Sequence, residues 1–148
     1  MKGASAGTSS SYTDNLIKVI EIKLNNEVFY ATISTGAKFS FCSKNVVRKL
    51  KLTETKINGI CTRDSYGGKH EFGSYAKFSV KIGVMSFDSN LMINSGKMNV
   101  DMIIGMDVVE RIWKKYGSVM NIAEDHMQFG SLRIPLMVKQ LSDFNIDE

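Results

Sequence analysis

Between residues 16 and 24 apolar side chains alternate with polar ones: Leu16, Ile20, Ile22 and Leu24 share a face with Lys18 among them, and Glu21 and Lys23 lie on the other. A period of two is the mark of a half-buried strand. Asn25-Asn26 then fits a two-residue hairpin loop, because Asn tolerates the positive φ that such turns need. The return strand at 27–33 runs directly into Ser34-Thr35-Gly36-Ala37, and an apolar, β-branched run entering so small a turn is how a strand delivers a reactive loop. Ser43 is placed to cap a short helix at 44–50, where Val46, Val47 and Leu50 share one side.

Two strand-like runs between 57 and 82 flank Arg63-Asp64-Ser65-Tyr66-Gly67-Gly68-Lys69. The Gly-Gly tip is permissive, so this hairpin has the makings of a lid. A strand at 84–93, a polar connection at 94–99 and a buried strand at 100–105 that ends on a glycine come next. A second short helix is expected at 106–114 with Val108, Val109, Ile112 and Trp113 inward. The closing pattern predicts strands around 118–123, a turn at Glu124-Asp125-His126, and a strand at 127–134 ended by Pro135. The fold class is therefore mostly β, with one or two short helices.

Composition narrows this picture. With 148 residues, 43% of them hydrophobic, the chain can build one conventional core. Residues 1–13, rich in Gly, Ser, Ala and Thr, read as a disordered tail or linker, 14–138 as the domain, and 139–148 as a C-terminal tail. No apolar run reaches the roughly 20 residues that span a bilayer, and the first residues lack the apolar core of a signal peptide. No membrane contact and an intracellular location, cytoplasmic or nuclear, are expected. Cys42 and Cys61 are too few for a disulfide framework and should be reduced thiols. A formal charge of +4 admits an acidic partner, but the basic residues at 44–51 and 111–115 are spaced like solvated helix faces, which disfavours nucleic acid.

Two segments carry a family resemblance. The run 29–50, FYATISTGAKFSFCSKNVVRKL, resembles the Asp-Thr-Gly-Ala segment of retroviral-type (retropepsin-like) aspartic proteases, and 100–112, VDMIIGMDVVERI, resembles their second hallmark. The Ile-Ile-Gly-Met-Asp form and the following Asn121-Ile122-Ala123 are most similar to the protease domain of the DNA-damage-inducible ubiquitin shuttle proteins, and the likeness covers residues 16–135. It implies a closed retropepsin-like β-barrel that works as a homodimer, each protomer lending one turn and one flap to a cleft for an extended peptide or protein segment. Ser34 then stands at the catalytic Asp position, Thr35, Gly36 and Ala37 form the active-site loop and dimer lock, Ile103, Ile104 and Gly105 form the cleft wall, and Tyr66, Gly67 and Gly68 form the flap.

The serine separates fold from chemistry. Acid-protease catalysis needs two carboxylates that share one proton, so that one acts as base and the other as acid. A hydroxyl with no adjacent base stays protonated near neutral pH and does neither. A serine nucleophile would need a positioned histidine; His70 and His126 are the two in the chain, and nothing like a nucleophile elbow surrounds Ser34. Cys42, Cys61, His70 and His126 lack paired metal-ligand spacing, so neither metal nor cofactor is called for. Asp101 and Asp107 lie off the family's two-fold axis, and Asp107 is placed to start the second helix.

Three accounts of Ser34 stay open: a natural pseudoprotease kept as a dimerisation and interaction module, an aspartic endopeptidase whose Asp has been mutated to Ser34, and one half of a heterodimer whose partner supplies the aspartate. Lys38 and Phe39 favour the first, since the family usually has a small, acidic or amide side chain after the alanine, and a single engineered change leaves its neighbours alone.

Overall fold

The computed structural model describes residues 16–63 and 69–144. Strands β1 (Leu16–Leu24) and β2 (Glu27–Ile33) flank a turn in which Asn25 and Asn26 both take positive φ, 51° and 69°, as the Asn-Asn pair predicts. Then come β3 (Phe41–Ser43), α1 (Lys44–Leu50), β4 (Thr55–Arg63), β5 (Lys69–Ile82), β6 (Met85–Asn94) and β7 (Met102–Ile104). The chain continues through α2 (Met106–Tyr116), β8 (Met120–Ile122), β9 (His126–Phe129), β10 (Leu132–Gln140) and a 3-10 turn at Leu141–Phe144. The tail at 1–13 and the hairpin tip with Tyr66, Gly67 and Gly68 lie outside the described residues. No helix among the described residues is long and apolar enough to cross a membrane.

These strands make one ten-stranded sheet in the order β4-β5-β6-β3-β7-β2-β1-β10-β9-β8, with β5 also paired to β1. β1 closes it by changing partners along its length. Its first half pairs with β10, from Leu16↔Gln140 to Ile20↔Leu136, and its last residues pair with β5, from Ile22↔Ile82 to Leu24↔Val80. The result is a ring, β1-β5-β6-β3-β7-β2 and back to β1, in which β3 and β6, and β7 and β2, run parallel. Ile20, Ile22 and Leu24 point into it with Phe78, Leu91, Ile104 and Ile112 from α2, all at most 1% exposed. Burying such side chains stabilises the fold by roughly 1.5–3 kcal/mol each.

A second apolar cluster sits on the outside of the ring. Val19, on the face of β1 that also carries Glu21 and Lys23, is 1% exposed because Phe144 of the terminal 3-10 turn and Val100 cover it. The Phe144 ring meets Tyr30 edge-on at 6.5 Å between centroids, and Ile17, Met98, Ile103 and Met137 pack around them. Residues 139–144, grouped by composition with a tail, thus belong to β10 and to this cluster.

Three local expectations need correction. The run 127–134 is two strands joined at Gly130-Ser131, and Gly130 has φ 55°. A Cβ there would lie 1.8 Å from the Tyr116 carbonyl oxygen, so glycine is required on both counts. Pro135 does not end a strand: it lies within β10 as the last residue paired to β9, opposite His126, and from Leu136 onward β10 pairs with β1. A residue without an N–H is tolerated where the strand changes partners. Ser43 takes the N-cap position of α1 with extended backbone but makes no side-chain cap hydrogen bond; its N–H donates to the Asp101 carbonyl at 2.9 Å.

Asp101 extends the β2–β7 pair past the end of the strand. Its N–H donates to Tyr30 O at 3.1 Å, and Oδ2 accepts the Tyr30 N–H at 2.9 Å. Burial pushes this carboxyl's pKa up, against the smaller lowering effects of the Tyr30 N–H and Lys49. A carboxyl with a raised folded pKa favours the folded state while protonated, and that contribution is lost as pH rises through the folded pKa. Asp101→Asn keeps an acceptor for Tyr30 and removes the buried charge. Its Tm should therefore exceed that of the parent chain at pH 7, and thermal melts should show the gap closing as the pH falls toward about 4.

Candidate active site

The parallel pairing of β2 with β7 places Ile33 beside Ile104, and β2 ends there. Ser34 N–H donates to Ile104 O at 2.9 Å, and Ala37 N–H closes the turn on Ser34 O at 3.2 Å. Met106 N–H then donates to Ala37 O at 2.8 Å. The turn thus lies across the β7–α2 junction, and Gly105 allows it to. A Cβ on Gly105 would sit 2.7 Å from the Phe39 carbonyl carbon and oxygen and 2.8 Å from Ala37 O, all backbone atoms that cannot swing aside.

Side chains hold the same junction. Ser40, 1% exposed, accepts the Gly105 N–H on Oγ at 2.8 Å and donates its own hydroxyl to Asp107 Oδ1 at 2.6 Å. That carboxylate oxygen also accepts the Ser40 and Val108 N–H groups, each at 2.9 Å. Asp107 does lie in the first turn of α2, where a carboxylate complements the helix dipole, but it also ties α2 to the segment that follows the turn.

Within the turn Ser34 is half-buried, and Thr35 and Gly36 are exposed. Ser34 Oγ has no hydrogen-bond partner among the described residues. The acids of the two motifs are engaged elsewhere, Asp101 with Tyr30 and Asp107 with Ser40. His126 Nδ1 is 2.9 Å from Asp125 Oδ1, and this side-chain hydrogen bond holds the Asp125 carboxyl below its usual range. Cys42 is fully buried, and desolvation pushes its thiol far above the ordinary range, which makes it a core side chain rather than a nucleophile. The side chains of Cys61 and His70 lie outside the described residues. Among the described residues no three His, Cys, Asp or Glu side chains gather to hold a metal.

Of the three residues expected to wall a cleft, only Ile103 keeps exposed surface, and its buried part packs on the Val19–Phe144 cluster. Ile104 is 0% exposed and Gly105 is buried, so both support the turn from beneath and offer nothing to a ligand in the single chain. Ser40 had no signal in the sequence: a lone serine between two phenylalanines finds its partner 67 residues away.

A closed strand ring that presents a four-residue turn over the glycine of a strand–helix junction is the frame of an acid-protease-like domain. A family model described as retroviral aspartyl protease matches residues 10–133, and the chain belongs to that family. Among solved structures, the retroviral protease-like domain of Ddi1 from Leishmania major superposes with a TM-score of 0.54 at 15% identity, over 80% of this chain and 92% of that one. An EIAV protease complexed with the inhibitor HBY-793 gives 0.52 at 17% identity, over 64% and 86%. A retropepsin-like aspartic protease from Rickettsia conorii gives 0.50 at 17%, over 83% and 90%. At these identities the likeness is one of fold. A search of curated proteins gives no match.

The junction's dependence on Ser40 is measurable. Ser40→Ala leaves the Gly105 N–H without its acceptor and takes one donor from Asp107, which should cost about 1–3 kcal/mol in urea unfolding. Ser40→Thr, which keeps the hydroxyl, should recover part of that loss.

Proposed function

We propose that this domain is a non-catalytic member of its family, a homodimerisation module that binds a protein or extended peptide. The observation that carries the reading is Ser34: the turn, its glycine junction and its Ser40–Asp107 tie are all in place around a hydroxyl where the chemistry requires a carboxylate. Two such turns facing each other would hold no shared proton and no pair of groups with separated pKa values, so a water between them would be neither deprotonated nor aligned by charge. Lys38 adds a cation next to the turn, with Nζ 5.6 Å from the Phe39 ring centroid. This favours a naturally altered site over a single-residue disablement of an active endopeptidase.

Dimerisation is supported by what the single chain leaves uncovered. Thr35 and Gly36 are exposed at the tip of the turn. β8 ends the sheet and pairs only with β9 among the described residues. Its Ile122 is 62% and Met120 39% exposed, and Val119 just before them is 68% exposed. An open apolar edge strand invites a second strand, and an identical one satisfies it by two-fold symmetry. An extended peptide would then bind by strand addition beneath the β4–β5 hairpin.

Sedimentation velocity at micromolar concentration tests this reading. The parent protein should run as a dimer. Ile122→Lys should run as a monomer with an unchanged circular dichroism spectrum, because its side chain already faces solvent in the single chain. A monomeric parent protein would overturn the proposal.

A further inference from the structure

At the end of β2 away from Ser34, the outer surface of the ring carries a different feature. β1 and β5 place Lys23 directly opposite Lys81. Both are exposed, and neither side chain has an ion-pair or hydrogen-bond partner among the described residues. Like charges directly opposed on antiparallel strands weaken the pairing. The two ammonium groups also divide a pair of grooves. One, about 350 Å³, runs from the lysines to Pro135, which is exposed, and half-buried Met137 on β10. The other, about 320 Å³, runs from the same lysines to Asn26, Ser79 and Ser86.

The whole strip therefore crosses β10, β1, β5 and β6, with Pro135 and Met137 at one end, Asn26, Ser79, Ser86 and half-buried Phe87 at the other and two unpaired cations between. It adjoins the Asn25-Asn26 turn, and β2 (Glu27–Ile33) separates that turn from Ser34 by about 20 Å of extended chain. The lysine end of the strip therefore lies apart from the Ser34 turn.

Charge and shape together select the occupant. A free phosphate would engage the lysine pair and leave Pro135 and Met137 bare. A run of acids would meet Glu21, which lines the first groove, and Asp88, which lines the second and accepts the Ser79 hydroxyl at 3.1 Å. A single carboxylate with an apolar neighbour fits both conditions. We propose that the Lys23–Lys81 strip docks an extended segment of a partner protein in which an isolated Asp or Glu bridges the two ammonium groups and an adjacent apolar side chain lies against Pro135 and the exposed part of Met137. The site belongs to one chain and does not depend on dimerisation or on the chemistry at Ser34.

Amide NMR titration of the full chain with the blocked peptide Gly-Ser-Leu-Glu-Leu-Ser-Gly tests it. Shifts should map to Lys23, Lys81 and Met137, and affinity should drop roughly fivefold when the peptide's Glu is replaced by Gln, or in Lys23→Gln or Lys81→Gln. Both variants should melt at or above the parent temperature, since each removes a like-charge contact, so lost binding will not be lost folding. Equal binding of the Gln peptide, binding of inorganic phosphate without the peptide, or shifts centred on Ser34 and Gly36 would overturn the proposal.

Discussion

The carbonyls of Ala37 and Phe39 pass so close to Gly105 that any side chain there would overlap them. Around that contact the domain joins its two defining segments: the Ile104 carbonyl takes the Ser34 N–H, the Ala37 carbonyl takes the Met106 N–H, and Ser40 links Gly105 to Asp107. The β2–β7 pairing brings the backbones into reach, the glycine lets them touch, and the serine–aspartate pair fixes the start of α2 over them. Such a junction gives a turn of defined position whatever side chain sits at residue 34. The frame of the turn therefore does not depend on the side chain at residue 34.

The ring that supports the junction is closed by β1, which pairs with β10 over its first half and β5 at its end. Pro135 marks the corresponding exchange on β10, where pairing passes from β9 to β1. Beyond it the chain reaches the 3-10 turn that seats Phe144 on Val19 and Tyr30, so the last described residues complete the outer face of the same strands.

Features decided by neighbours in sequence were legible. The Asn25-Asn26 turn, the alternation of β1 and the family segments at 29–50 and 100–112 all rest on local backbone chemistry or short motifs. The turn at Gly130-Ser131 was encoded as well, in a change of parity: Met127 and Phe129 are buried before it, Leu132 and Ile134 after it. Reading Pro135 as a terminator hid that shift. Contacts that join distant parts of the chain left no trace. The pattern gives no reason to bury Val19 beside Glu21 and Lys23 until Phe144 arrives from the other end, and Ser40 acquires its role only when Asp107 is folded onto it. At the candidate site the residues of the turn were readable, whereas the inward placement of Ile104 followed from ring closure.

In the function proposed for it, this frame carries no peptidase chemistry because residue 34 offers a hydroxyl and no carboxylate. Incubation of the protein with a diverse peptide library between about pH 4 and pH 7, with mass-spectrometric detection of new termini, tests it directly. The expected result is no cleavage above that of a heat-denatured control. Cleavage by the purified protein that disappears in Ser34→Ala would contradict the account.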